Sequence, residues 1–215
     1  MKIGVFDSGI GGRAVAQRLH ELIPHAEIIS IDDHAHMPYG NRTDDDIISL
    51  TKKAIQPLID AECDSIVIAC NTATTVAIKE LRKAYPTMKF VGIEPMVKPA
   101  SRLTKSKHIA VLATPATLAS QRYKDLKMEW ASGIDVREPD CHNWASLIEN
   151  DRTQDVPIET VVKQLIGDGV DVIVLACTHY HLLKERALKA ADGHAHVLEP
   201  SEAISKRIIS LLTEY

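Results

Sequence analysis

The chain has 215 residues, of which 45% are hydrophobic and 25% charged, a balance that suits a folded globular protein and excludes a disordered one. A formal charge of −4, with no stripe of Lys or Arg, gives no electrostatic reason to expect a nucleic acid as partner. The apolar runs at 66–70 and 172–177 are too short to cross a bilayer, so no membrane association is expected.

Residues 1–6 read as a first strand, not as an export signal: no long apolar stretch or small-residue cleavage site follows. Apolar runs rich in β-branched residues then alternate with amphipathic stretches, the pattern of an α/β chain with parallel sheets. Strands are predicted at 2–6, 27–31, 65–69, 89–93, 108–113, 134–137 and 172–176. Helices are predicted at 12–22, 44–60, 73–84, 117–130, 157–167, 180–190 and 201–213. Glu94-Pro95 and Lys98-Pro99 interrupt the pattern after a strand and suggest a hinge. Cys63, Cys70, Cys141 and Cys177 lack CxxC spacing, which points to free thiols in a reducing cytoplasm.

An internal repeat carries the most information. Lys2-Ile-Gly-Val-Phe-Asp-Ser8 is echoed 106 positions later by His108-Ile-Ala-Val-Leu-Ala-Thr114. Asp64-Ser-Ile-Val-Ile-Ala-Cys70 is echoed 107 positions later by Asp171-Val-Ile-Val-Leu-Ala-Cys177. Each half then runs through helix and strand to a Glu-Pro pair, Glu94-Pro95 and Glu199-Pro200. The predicted architecture is two similar doubly wound parallel-sheet domains, 1–94 with 198–215 and 95–197, related by pseudo-twofold symmetry about a shared cleft. Generic similarity between βα units is the competing explanation.

Ligands of open α/β sheets bind beyond the carboxyl ends of the strands, where Cys70 and Cys177 both lie, each directly before a predicted helix. Free N–H groups at a helix start favour a thiolate and hold carboxylates, and Asn71-Thr72 and Thr178-His179 add donors there. Two thiols flanking one α-carbon can invert it, one removing the proton and the other returning one to the opposite face. Alone, either cysteine reads equally as a small buried hydrophobe. Asp7 and His179 are the nearest candidate partners for the bases, with a helix-start role as the alternative for His179.

Asp7-Ser-Gly-Ile-Gly-Gly12 is a glycine-rich turn that permits close ligand approach, but it is neither GxGxxG nor a P-loop. Asp7 or Ser8 as a cap is the plainer reading. Pro38-Tyr39-Gly40, after Asp32-Asp33, reads as a turn able to offer amides and a tyrosine edge to a carboxylate, or as an ordinary loop. His34/His36, His179/His181 and His194/His196 raise the idea of a metal-dependent hydrolase, but zinc-motif spacings are absent and no metal is expected.

Together these residues resemble the glutamate racemase family. The resemblance runs through Phe-Asp7-Ser8-Gly-Ile-Gly-Gly12, Asp33 with Pro38-Tyr39-Gly40, Ala-Cys70-Asn71-Thr72-Ala73, Ala-Thr114-Pro-Ala-Thr117 and Cys177-Thr178-His179-Tyr180, in family order over nearly the whole chain. It implies interconversion of L- and D-glutamate without a cofactor, to supply peptidoglycan synthesis. By resemblance, Cys70 and Cys177 are the bases, Asp7 supports Cys70, and His179 with Glu149 supports Cys177. Asp7, Ser8, Tyr39, Gly40, Asn71, Thr72, Thr114, Thr117, Thr178 and His179 would contact the substrate.

Ala176 and His181 stand where the family usually has Gly and Pro, and the chain stops at Tyr215, short of many relatives. A homodimer is left open, the short C-terminus bearing on its contacts. No long N-terminal extension of the kind that carries activator control in some relatives is present. A racemase for aspartate or another small acid, and a catalytically inactive amino-acid-binding relative, are the alternatives.

Overall fold

The computed structural model describes residues 1–213. Two compact units emerge, each an independent four-stranded parallel sheet. In the first, β1 (Lys2–Asp7), β2 (Glu27–Asp32), β3 (Ser65–Ile68) and β4 (Lys89–Gly92) lie in the order β2-β1-β3-β4. In the second, β5 (His108–Leu112), β6 (Asp135–Arg137), β7 (Val172–Leu175) and β8 (His196–Leu198) repeat that order as β6-β5-β7-β8. The repeated segments thus occupy equivalent places: β1 and β5 each sit beside β3 and β7.

Both sheets are covered on both faces, which is why β3 and β7 are unbroken apolar runs, buried at every residue. Alternation sorts their side chains. In the first unit Phe6, Ile66 and Ile68 meet α2 (Asp44–Asp60) and α3 (Asn71–Ala84), through Ile47, Ile55, Ala77 and Leu81. Ile3, Val5 and Val67 face the other way, onto Val15 and Leu19 of α1 (Gly12–Leu22). In the second unit Ala110, Leu112, Ile173 and Leu175 share a core with Trp144 and Ile148, Val162 and Leu165, and Ala187. Ile109, Val111, Val172 and Val174 pack on Val97, Ala100, Tyr123 and Leu126.

The helices of the second unit are α4 (Val97–Leu103), α5 (Pro115–Ala119), α6 (Gln121–Trp130), α7 (Trp144–Glu149), α8 (Ile158–Gly167) and α9 (Lys184–Ala191). The chain leaves the first unit between Glu94 and Pro95 and returns at Pro200, so that α10 (Ser201–Thr213) lays Ile204 and Ile208 on the first unit's core. Because β8 pairs with β7, Leu198 belongs to the second sheet, and the return lies two residues beyond the expected 198.

Several elements depart from the pattern read in the sequence. The hinge expected at Lys98-Pro99 is helix α4, because Pro99 falls in its first turn, where no intrahelical N–H is needed. The helix expected at 117–130 is two helices, broken at Ser120, whose extended backbone and hydroxyl cap α6 through the Tyr123 N–H at 3.2 Å. The helix expected at 180–190 begins as a 3₁₀ segment, Thr178–Leu183, before α9. Among the described residues no helix is long and apolar enough to cross a membrane.

Candidate active site

The candidate residues form two constellations, one in each unit. In the first, Cys70 ends the segment after β3 and is the N-cap of α3. Its sulfur accepts the Ala73 N–H at 3.4 Å and the Ser8 hydroxyl at 3.2 Å. Both donors favour a thiolate over a thiol, and the start of α3 adds its partial positive charge. Ser8 reaches Cys70 because β1 pairs with β3, which sets Phe6 opposite Ile68 and carries the two following loops out side by side.

Asp7, only 1% exposed, accepts the Gly9 N–H at 3.1 Å and so pins the glycine-rich turn. Gly12 is required there: a Cβ at that position would stand 2.5 Å from the Cβ of Asp7. Tyr39, in the 3₁₀ turn Tyr39–Asn41 with Gly40, donates its hydroxyl to Asp33 at 2.7 Å and packs on Phe6. Burial, aided by the Asp33 carboxylate, raises the Tyr39 pKa well above the usual phenol value, so it stays a neutral donor. Asn71 and Thr72 open α3 and are both 3% exposed. The Asn71 amide has no hydrogen-bond partner among the described residues, at neither its oxygen nor its nitrogen. A buried amide left so is costly unless a ligand completes it.

In the second unit Cys177 ends the segment after β7, and the reading of a helix directly behind it needs correction. The chain there is 3₁₀, and Cys177 makes no side-chain cap bond, so the helix-start argument for Cys70 does not transfer. A histidine takes its place. His179 Nδ1 lies 3.7 Å from the Cys177 sulfur, and its Nε2 pairs with Glu149 Oε2 at the end of α7. The His179 and Glu149 side chains are 5% and 2% exposed. With Nε2–H directed at the carboxylate, Nδ1 is the acceptor that faces the thiol. Glu149 is thus joined to His179 across 30 positions of sequence, with no motif of its own to announce it.

Thr114 caps α5 and pairs hydroxyl to hydroxyl with the fully buried Thr117 at 3.0 Å. Thr178 is buried, and its carbonyl accepts from His181 Nδ1. Two further groups crowd Cys177. Tyr180 donates to the Cys141 carbonyl at 3.2 Å, and its own N–H to the Cys177 carbonyl at 3.0 Å. Burial, with Cys177 and Asp140 nearby, pushes the Cys141 thiol up to about 12, which leaves it a neutral, inert neighbour. Neither Cys141 nor Tyr180 was marked by the sequence pattern as part of the site. All four cysteines are free.

Of the His-x-His pairs, His179 and His181 are engaged as described, and His36 meets Asp33 at 2.7 Å. Among the described residues no group of three or more His, Cys, Asp or Glu could hold a metal ion.

Residues 12–207 match the family model described as Asp/Glu/Hydantoin racemase. The chain belongs to that family. Within it, the chain is 36% identical to a glutamate racemase of Sulfurovum sp. (strain NBC37-1) over 100% of its own length and 83% of the relative's. It is 37% identical to that of Aliarcobacter butzleri, over 100% and 85%. Among solved structures, Escherichia coli glutamate racemase in complex with L-glutamate and an activator superposes with a TM-score of 0.87. That match has 28% identity and covers 99% of this chain and 82% of the other. The two-sheet α/β architecture is therefore that of known racemases, in line with the resemblance read from the sequence.

Proposed function

We propose that this racemase-family chain interconverts L- and D-glutamate without a cofactor, Cys70 and Cys177 acting on opposite faces of one α-carbon. The observation that carries this reading is the pair of cysteines at equivalent strand ends of two like sheets, each beside groups that support a thiolate. Relatives at 36–37% identity that are named glutamate racemases support the choice of glutamate.

For one enantiomer, the Cys70 thiolate, relieved by Ser8 and the α3 N–H groups, takes the α-proton, and Cys177 delivers its S–H proton to the other face. For the mirror substrate the roles exchange. His179 Nδ1 first takes the Cys177 proton, the imidazolium is balanced by Glu149, and the resulting thiolate removes the α-proton. The α-carbon is a weak acid, so donors around the carboxylate must meet the charge that develops there. The unpartnered Asn71 amide, with Thr72 and Thr178, suits that duty. Tyr39, Gly40, Thr114 and Thr117 complete the proposed contacts, and Asp7 orders the loop that brings Ser8 to Cys70. The proposed role is supply of D-glutamate for peptidoglycan in the cytoplasm.

Incubation with L-glutamate in D₂O tests this directly. Deuterium is expected at Cα together with D-glutamate, and Cys70→Ala or Cys177→Ala should each cut racemisation by on the order of 10³-fold or more. Faster turnover of L-aspartate would move the assignment to an aspartate racemase. No exchange with either acid would leave a binding protein, and a fully active single-cysteine variant would end the two-base mechanism.

A further inference from the structure

His181 stands where the family usually carries proline, and the structure gives it a place beside the second base. Its Nδ1 donates to the carbonyl of Thr178, inside the 3₁₀ segment Thr178–Leu183 that presents both Thr178 and His179. A six-residue 3₁₀ run is longer than such segments usually are, since their hydrogen bonds are poorly aligned. A ring bonded across the turn compensates. Below the turn Tyr180 is fully buried against Trp144, so the segment is fixed from the core side by packing and from the other by His181.

We propose that His181 is a positioning residue for the Cys177 base: it holds the turn that aims His179 at the sulfur, and it must be neutral for His179 to accept a proton. The inference rests on the two-base reading above and deepens it.

The electrostatics follow from the geometry. With Nδ1–H committed to a carbonyl, neutral His181 carries its free lone pair on Nε2, and that nitrogen is the one that titrates. The charged and titratable groups that act on it are His179 from the same turn and Glu199 beyond β8, the latter bonded to Lys184 Nζ at 3.3 Å. Burial lowers the His181 pKa below its ordinary value of 6.5, and His179 lowers it further, while the Thr178 carbonyl and Glu199 act against this. His181 is therefore neutral at physiological pH. In acid it gains a positive charge beside the imidazole that must take the Cys177 proton, and the two cations repel.

The consequence is direction-specific. Enantiomers have equal free energies, so kcat/KM must be the same in both directions for every variant, and the signal lies in kcat. The experiment is the pH profile of kcat for L- and D-glutamate in wild type, His181→Ala and His181→Asn. Asparagine can donate to the Thr178 carbonyl as Nδ1–H does, but it does not titrate.

His181→Ala should lower kcat roughly fivefold in one direction, the value of one lost hydrogen bond, with a smaller effect in the other. His181→Asn should recover most of that loss at alkaline pH. It should also lose one proton from the steepness of the acid limb in the same direction. Wild-type kcat profiles in His181→Ala, equal losses in Ala and Asn, or an unchanged acid limb in Asn would each overturn the proposal. Cys177→Ala separates the two levels. If it is inactive while His181→Ala behaves as wild type, this inference alone fails; if it remains active, the two-base reading fails.

Discussion

The sharpest test of the Cys177 constellation is Glu149→Gln, which keeps the shape and the hydrogen bond but removes the charge. Both members of the His179–Glu149 pair are nearly inaccessible, at 5% and 2% side-chain exposure, so solvent screens their interaction little. A hydrogen bond to a charged group contributes about 1.5–3 kcal/mol, against about 1 for a neutral pair. The imidazolium that forms as His179 takes the Cys177 proton therefore loses about 1–2 kcal/mol of stabilisation. That corresponds to an approximately five- to thirty-fold fall in kcat for the enantiomer whose proton Cys177 removes. The other direction, in which Cys177 starts as a thiol, should fall less. Circular dichroism of glutamate at a fixed wavelength follows both directions in the same cuvette, and thermal unfolding of the variant guards against a merely unstable protein. A folded variant with both kcat values within twofold of wild type would refute the idea that Glu149 charges this base.

Three further outcomes are expected. Gly12→Ala must push Asp7 aside from a 2.5 Å overlap that no flexible side-chain end can relieve, so it should lose about 1–3 kcal/mol of stability in denaturant titrations and most of its activity. Asn71→Ala removes a buried amide with no protein partner, so its melting temperature should hold or rise while KM for glutamate increases. Asp171 feels burial upward, yet the Thr104 hydroxyl and the Ser106 and Lys105 N–H groups outweigh it and bring its pKa from 3.8 to about 2. Its stabilisation is complete above pH 3.8 and fades as pH falls towards about 2. Asp171→Asn should accordingly flatten the acid-unfolding curve in that window alone.

The sheets were legible in the sequence because a strand buried on both faces must be apolar throughout, as at Ile66–Ile68 and Val172–Leu175. β8 was not, since three half-exposed residues at a sheet edge leave no periodicity to detect. α7 escaped for a similar reason: six residues without a capping side chain give no start signal. In the site, the repeat pointed to Cys70 and Cys177 on their own merits, because an offset of 106–107 residues recurs in two separate segments. What surrounds each sulfur could not be read this way. Ser8 meets Cys70 only through the pairing of β1 with β3, 62 positions apart, and Glu149 meets His179 across a loop and a helix. Contacts of that kind are made by topology, and only resemblance to a family offers them in advance.

The two half-chains have kept one topology and diverged in how each supports its cysteine. Cys70 caps a regular fourteen-residue helix and accepts from a serine, so its thiolate is supported by fixed neutral donors that do not titrate. Cys177 precedes a 3₁₀ turn without a comparable cap and relies on an imidazole and a carboxylate, which do. On the proposed mechanism this inequality costs the enzyme nothing at equilibrium, because a racemisation has no preferred side and kcat/KM is bound to be equal both ways. It does surface at saturation. Turnover begun by Cys177 should respond to pH and to charge deletion around His179, while turnover begun by Cys70 should be the less responsive of the two. A reaction with mirror-image substrates is thus carried by bases that are not mirror images of each other, and the difference between the two saturated rates is the measure of that divergence.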